Sequence, residues 1–375
     1  MEQIILEPFD DYAEADKYIE KYSEGSIFLV CGKSFEKMNF YFHLQELKEK
    51  GFRIVRFSDF QPNPSYESVV AGVEKFRKEK AGLILAAGGG SAMDVAKCIK
   101  LYSAKLPHEH EAAGNKKIQN IKLLAVPTTA GTGSEATKFA VIYRDGEKQS
   151  VTDENIIPDA VLLDPSVLIH LPMYHRKASM LDALCHGIES FWSVNATEES
   201  QALSEKAIVE ILTNMESFLN NDSEGNKNMM SAANTAGKAI NITQTTAGHA
   251  MCYKLTSLYG IAHGHAAALC VDVLWTWMSD HIFACNDVRG EEYLKITLSR
   301  LEKLFHECAP LGCKNFHELL KTLNLRSVNI PAEDIELLTE TVNPVRLKNH
   351  PISMTKDDIK ILYETIRNGS LSDES

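Results

Sequence analysis

The sequence predicts two parts of different class, an α/β first half built on a parallel sheet and an all-α second half. Three observations carry that prediction. Short apolar runs alternate with amphipathic stretches from Ser26 to about Pro165, as strands feeding helices do. Two of the runs pass straight into loops rich in glycine, threonine and serine. From Met173 onward, apolar residues recur at helical spacing.

Taken in order, Ser26-Ile-Phe-Leu-Val-Cys31 is a buried-strand run that stops at Gly32, and a helix is expected over about 40–50. A second strand covers 52–57, and the loop Gln61-Pro-Asn63-Pro-Ser65 leads to a helix over about 67–80. A third strand, 82–87, runs into Gly88-Gly89-Gly90-Ser91-Ala-Met-Asp94 and a helix containing Lys97. Glycines there let the N–H groups of a helix N-terminus approach a phosphate. The loop is neither GxGxxG nor a Walker loop, and it reads equally as a tight strand–helix turn. The strand at 122–126 ends in Pro127-Thr128-Thr129-Ala-Gly-Thr132-Gly-Ser134-Glu135, which should open at the carboxyl edge of the same sheet. Two such loops at one edge favour a nucleotide over a single phosphate.

A hairpin turn is expected at Asp145-Gly146 and a last strand at 160–165. His108-Glu109-His110 falls in a polar connection and reads as surface loop rather than metal site. The domain boundary is placed near residue 170, giving domains 1–169 and 170–375. Helices are expected over about 174–195, 199–220, 228–257, 264–281, 291–308, 315–323, 331–342 and 355–367, with 220–227 as a linker.

Composition narrows the function. Apolar residues make up 44% and charged residues 24%, an ordinary globular balance. The net charge of −12 argues against an electrostatic nucleic-acid or anionic-membrane binder. The N-terminus lacks a secretory leader pattern, and no apolar run is long enough to span a bilayer. The 8 cysteines are scattered without a CxxC pair, which predicts free thiols and a cytoplasmic protein.

The helical half carries the chemistry. In Met180-Leu-Asp182-Ala-Leu-Cys-His186-Gly-Ile-Glu-Ser190, Asp182 and His186 lie one helical turn apart on one face. Downstream, His249 and His263 offer two further imidazoles. One carboxylate with three histidines is a plausible shell for a divalent transition metal. Taken singly, His186 and His249 also fit satisfied core histidines, and His263 also fits a helix cap. His265 reads as structural or supporting.

Together these segments resemble the iron-containing (group III) alcohol dehydrogenases. Five features match in order: Pro62-Asn63-Pro64, Gly88–Asp94 with Lys97, Pro127–Glu135, Asp182–Glu189, and the pair His249 and His263. The resemblance implies a Rossmann-like domain followed by a helical one, the dehydroquinate synthase-like architecture, working as a homodimer. It implies Asp182, His186, His249 and His263 as ligands of Fe²⁺, or alternatively Zn²⁺ or Mn²⁺. It places NADH or NADPH at Gly32, Ser34, Asn63, Gly89, Gly90, Ser91, Asp94, Thr128, Thr129 and Thr132, with Lys148 near the ribose. The implied reaction is reduction of a small aldehyde, with the metal as Lewis acid and the nicotinamide as hydride donor.

Three departures from the family pattern sharpen this. Tyr253 stands where many relatives have a second histidine near the nicotinamide, and is taken as a catalytic candidate. Gly32-Lys33-Ser34 follows the first strand where NAD-preferring relatives often have Asp, so acceptance of NADPH is expected. Lys254 and Arg346, the latter in Val342-Asn-Pro-Val-Arg346-Leu-Lys348, make the substrate end cationic and suggest an anionic aldehyde, although both also fit solvated or glutamate-paired positions. The resemblance is strongest to the branch that reduces phosphonoacetaldehyde to 2-hydroxyethylphosphonate. Reduction of sulfoacetaldehyde, or of simple short-chain aldehydes, is the alternative. A dehydroquinate synthase-like lyase is disfavoured by the Asp and three-His set, and a non-catalytic nucleotide or metal sensor leaves the coincident loops and ligands without a purpose.

Overall fold

In the computed structural model the strands of the first half are short and mostly apolar, in chain order β1 Ile4–Leu6, β2 Ser26–Cys31, β3 Arg53–Phe57, β4 Leu83–Gly88, β5 Lys122–Pro127, β6 Phe139–Arg144, β7 Glu147–Thr152 and β8 Ala160–Leu162. Six of them form one parallel sheet in the order β1-β8-β5-β4-β2-β3. Every residue of β2 is buried, as are Leu83 to Ala87 of β4, because parallel strands are covered on both faces. The covering helices are α1 Ala13–Tyr22, α2 Asn39–Glu49, α3 Tyr66–Glu79 and α4 Gly90–Lys105. The hydroxyl of Ser65 accepts from the N–H of Ser68 and so caps α3, while Lys80 ends that helix at φ 49°.

The strand order locates a crevice. From β2 the chain moves outward to β3, then returns to the other side of β2 for β4 and continues away through β5. The carboxyl ends of β2 and β4 therefore flank the point where the winding reverses, the usual ligand position in such sheets. Gly32 follows β2, and Gly88–Ser91 spans the end of β4 and the start of α4. The hairpin β6–β7 turns at Asp145 and Gly146, both with positive φ, as expected of a type I′ turn.

The second half is helical: α5 Met173–Trp192, α6 Glu198–Leu219, α7 Ser223–Thr243, α8 Ala247–Tyr259, α9 His263–Asp280, α10 Glu291–Cys308, α11 Phe316–Leu323, α12 Asp334–Glu340, α13 Pro344–Leu347 and α14 Lys356–Ser372. Helix α5 is central, with every residue from Met180 to Trp192 buried. Asp182, His186 and Glu189 lie inside that run, so each requires partners.

Three expectations need correction. The helix expected over 228–257 is two helices, α7 and α8, because Gln244 takes φ 61° and breaks the ladder between them. The linker expected at 220–227 shrinks to 220–222, since α7 already starts at Ser223. Gly225 lets α7 press on α6 there; a Cβ would sit 2.4 Å from the Phe218 nitrogen. Strand β1 and helix α1 were not anticipated, because an apolar run of 3 residues is too short to read as a strand.

The structure describes residues 3–8, 11–105 and 120–372; His108, Glu109 and His110 lie outside them. The chain divides into two compact units, Met1–His170 and Leu171–Ser375. Among the described residues no helix is long and apolar enough to cross a membrane.

Candidate metal and cofactor sites

In the first unit the two glycine- and threonine-rich loops lie side by side. The N–H of Thr128 bonds the carbonyl of Gly88 at 3.0 Å, in line with the β4–β5 register. A Cβ on Gly89 would meet only Thr129, nearest at 3.7 Å, and one on Gly90 only Thr132, nearest at 3.6 Å. Packing therefore does not require glycine at either position, and both fit close approach of a ligand to the backbone. Below the loops, buried Lys97 donates to Ser134 Oγ, Thr137 Oγ1 and the Phe139 carbonyl at 3.0, 3.1 and 2.7 Å. Ser134 Oγ in turn donates to Asp94 Oδ1 at 3.1 Å. Burial raises the Asp94 carboxyl to about 6 against the pull of Lys97, and lowers Lys97 to about 8. Asp94 is thus part of the support beneath the loops, and Lys148 on β7 is near enough to act on it. Asn63 is exposed at φ 60° beside the hairpin, where the Pro64 carbonyl accepts from the N–H of Tyr143. Lys33 and Ser34 are exposed beyond Gly32, and a Cβ on Gly32 would meet nothing within 4 Å.

In the second unit Asp182, His249 and His263 bring one donor atom each within 4.8 Å of one another. Asp182 Oδ1 lies 3.4 Å from His249 Nε2 and 4.0 Å from His263 Nε2. Burial pushes the Asp182 carboxyl up, but the charges of His186 and His263 and the hydrogen bond from His249 hold it well below its ordinary value. His186, also buried, stacks on His249 with ring centroids 4.5 Å apart; its nitrogens are not among the three clustered donors. Gly264 permits the assembly: a Cβ there would fall 2.0 Å from the Ala178 carbonyl and 2.6 Å from Asp182 Cβ.

Glu189, a turn beyond His186, is fully buried and its carboxylate accepts from His249 Nδ1. Burial lowers the basicity of His249, but Glu189 and Asp182 outweigh it and raise the ring to about 9. On the other side, Tyr174 Oη accepts from the N–H of Ala262 at 2.9 Å and lies 3.2 Å from His265 Nδ1. His265, buried and lowered to about 4 by burial and then by Arg326, therefore supports the start of α9.

Tyr253 stacks on His263 with centroids 5.3 Å apart, and Arg346 Nη1 donates to its hydroxyl at 2.7 Å. Burial holds the phenol above its ordinary pKa despite Arg346, so it carries its proton. Lys254 is half-buried one position on, about 100° around the helix axis from Tyr253.

Comparison with known proteins places these sites in a family. Residues 4–165 match the family description "Iron-containing alcohol dehydrogenase", and residues 177–367 match "Fe-containing alcohol dehydrogenase family, C-terminal". The chain belongs to the iron-containing alcohol dehydrogenases. Alcohol dehydrogenase 4 of Saccharomyces cerevisiae is 28% identical over 327 residues, spanning 84% of this chain and 83% of its own. A phosphonoacetaldehyde reductase of Streptomyces viridochromogenes is 32% identical over 263 residues, 66% of this chain and 64% of its own. The fold matches an iron-containing alcohol dehydrogenase of Thermotoga maritima at TM-score 0.81 and 25% identity, covering 98% of both chains. It also matches the sulfoacetaldehyde reductase of Bifidobacterium kashiwanohense, solved with NAD⁺, at TM-score 0.79 and 24% identity over 97% of both. Family membership makes the chain an oxidoreductase acting on alcohols.

The residues present fit a metal. A carboxylate and two imidazoles form an O/N donor set suited to a borderline divalent ion. The sequence alone does not show the roles of Glu189 and Tyr174, although Glu189 closes the matched segment Asp182–Glu189. Glu189 alone left a trace, since 182, 186 and 189 fall on one helix face.

Proposed function

We propose that this chain is a metal-dependent, NAD(P)H-linked aldehyde reductase whose substrate carries an anionic headgroup, with phosphonoacetaldehyde, reduced to 2-hydroxyethylphosphonate, as the leading candidate. The observation that carries the reading is Arg346 hydrogen-bonded to Tyr253 while the Tyr253 ring lies on His263. A guanidinium is thereby held one side chain away from the candidate metal ligands, and its remaining N–H groups suit a phosphonate or sulfonate oxygen. The similarity to a phosphonoacetaldehyde reductase supports the same choice. Sulfoacetaldehyde is the second reading, because its headgroup is also a tetrahedral oxyanion.

The balanced reaction is aldehyde plus NAD(P)H plus a proton giving alcohol plus NAD(P)⁺. A divalent ion held by Asp182, His249 and His263, with His186 stacked beside them, would supply Lewis acidity, and a bound nicotinamide would supply hydride. The chain itself binds and orients. Arg346 donates to the phenol oxygen of Tyr253, so the hydroxyl proton points away from Arg346 and can be donated to a substrate oxygen. Gly89, Gly90, Ser91, Thr128, Thr129 and Thr132 offer backbone N–H and hydroxyl groups to the cofactor phosphates. Gly32, with Lys33 and Ser34, leaves room for a 2′-phosphate, so NADPH is accepted. A cytoplasmic homodimer belongs to the same reading; it is supported by 8 free cysteines and by the edge strand β1, whose Ile4 and Ile5 are exposed.

The test is an anaerobic, Fe²⁺-loaded assay over phosphono-, sulfo- and unsubstituted acetaldehyde. In Arg346→Ala the preference for phosphonoacetaldehyde over acetaldehyde should fall about 10- to 100-fold, the worth of a charged hydrogen bond. An unchanged preference rejects the anion pocket.

A further inference from the structure

A carboxylate buried in a helical core is costly unless every lone pair finds a donor, and Glu189 of α5 meets that condition in a particular way. Its Oε1 accepts from the N–H of Thr246 at 2.9 Å, the hydroxyl of Thr246 at 2.6 Å and the N–H of His249 at 3.3 Å. Thr246 is the N-cap of α8 and His249 stands in its first turn, so one oxygen caps the helix that carries His249. Its Oε2 accepts from Nδ1 of the His249 ring. The same carboxylate thus fixes both the backbone and the imidazole of one residue. Trp192 Nε1 donates to Thr246 Oγ1 at 3.0 Å, which orients that hydroxyl toward Glu189. A Cβ on Gly248 would come within 3.1 Å of Oε1, so the approach also depends on glycine there.

We propose that Glu189 is the positioning residue of the metal centre, keeping a proton on Nδ1 of His249 so that Nε2, which faces Asp182, is the nitrogen left to bind a metal. This rests on the reading of Asp182, His249 and His263 as metal ligands. Bonding of the outer nitrogen is what sets which ring nitrogen keeps the lone pair. An amide at position 189 would reverse that setting. With its oxygen kept on Thr246, its NH₂ would donate to Nδ1, the His249 proton would move to Nε2, and the ligand lone pair would be lost.

The test is metal affinity of the purified full chain, using Co²⁺ titration followed by its visible spectrum. Glu189→Gln should weaken Co²⁺ binding about 10- to 100-fold, the usual effect of removing such a partner. In a His249→Ala background the same change should cost nothing further, because Glu189 would act through that ring. Equal affinity of Glu189→Gln and wild type, or a full additional loss in the His249→Ala background, overturns the proposal. If Glu189→Gln does not fold, ¹⁵N NMR of the Zn²⁺-loaded wild type decides: Nδ1–H at His249 supports it and Nε2–H overturns it. A wild type that binds no divalent ion at all instead removes the underlying metal reading, and this proposal with it.

Discussion

Gly90 in the first unit and Gly264 in the second both border a candidate site, yet an added methyl would mean opposite things at the two. At Gly90 it meets only Thr132, nearest at 3.6 Å; at Gly264 it falls 2.0 Å from a backbone oxygen of α5. Packing does not account for the first glycine, whereas the second makes room for the protein's own backbone. The contrast holds for the whole of each site. The candidate cofactor loops present main-chain groups at strand ends, where topology favours an anion site. The candidate metal ligands are side chains from α5, α8 and α9, brought together by packing and, at His249, by the hydrogen bond to Glu189.

The strongest way to break the contrast is Gly264→Ala. It should destabilise the protein by about 3 kcal/mol, since backbone atoms cannot yield as a flexible side chain would. Denaturant unfolding measures the loss, and metal content should fall with it. Wild-type stability in this variant would show that the α5–α9 contact is looser than described. Gly90→Ala should instead leave unfolding within about 0.5 kcal/mol of wild type. Its KM for NAD(P)H should rise about tenfold, a loss of roughly 1.4 kcal/mol in binding. Destabilisation without a change in KM would assign Gly90 to packing. The smallest effect is at Gly32. There an Asp side chain has open space, and its charge should lower kcat/KM for NADPH relative to NADH about fivefold, or about 1 kcal/mol at an exposed site. A wild-type protein with a large NADH preference would remove the reason for that experiment.

Legibility in the sequence followed the same division. Strands β2, β4 and β5 and both loops are visible because buried parallel strands read as continuous apolar runs that break at the Gly- and Thr-rich loops, and edge strand β3 shows as Ile54, Val55 and Phe57 interleaved with arginines. The edge strand β1 is not, since Ile4–Leu6 carries no pattern longer than itself. Helical periodicity shows that a helix exists but not where it stops. The break at Gln244 falls in the polar run Thr243-Gln244-Thr245-Thr246, which interrupts the apolar spacing for only one turn and so reads as a polar face of one continuous helix. Asp182 and His186 are legible as a helical pair, whereas their meeting with His249 and His263 is a tertiary fact made clear only by family resemblance. Glu189 and Tyr174 act from behind the ligands, through contacts 60 and 88 positions away in the chain, and no local signal announces those. His186, expected as a ligand, stacks on His249, and its nitrogens are not among the three clustered donors.

The central claim is that the side-chain site in the helical unit holds a divalent metal required for aldehyde reduction. Its most direct test is the rate of NAD(P)H consumption with phosphonoacetaldehyde under anaerobic conditions, before chelation, after chelation and after Fe²⁺ is returned. The rate should collapse on chelation, by about 1000-fold if the metal contributes several kcal/mol to the barrier, and recover when Fe²⁺ is restored. Full activity in the metal-free protein would contradict the account.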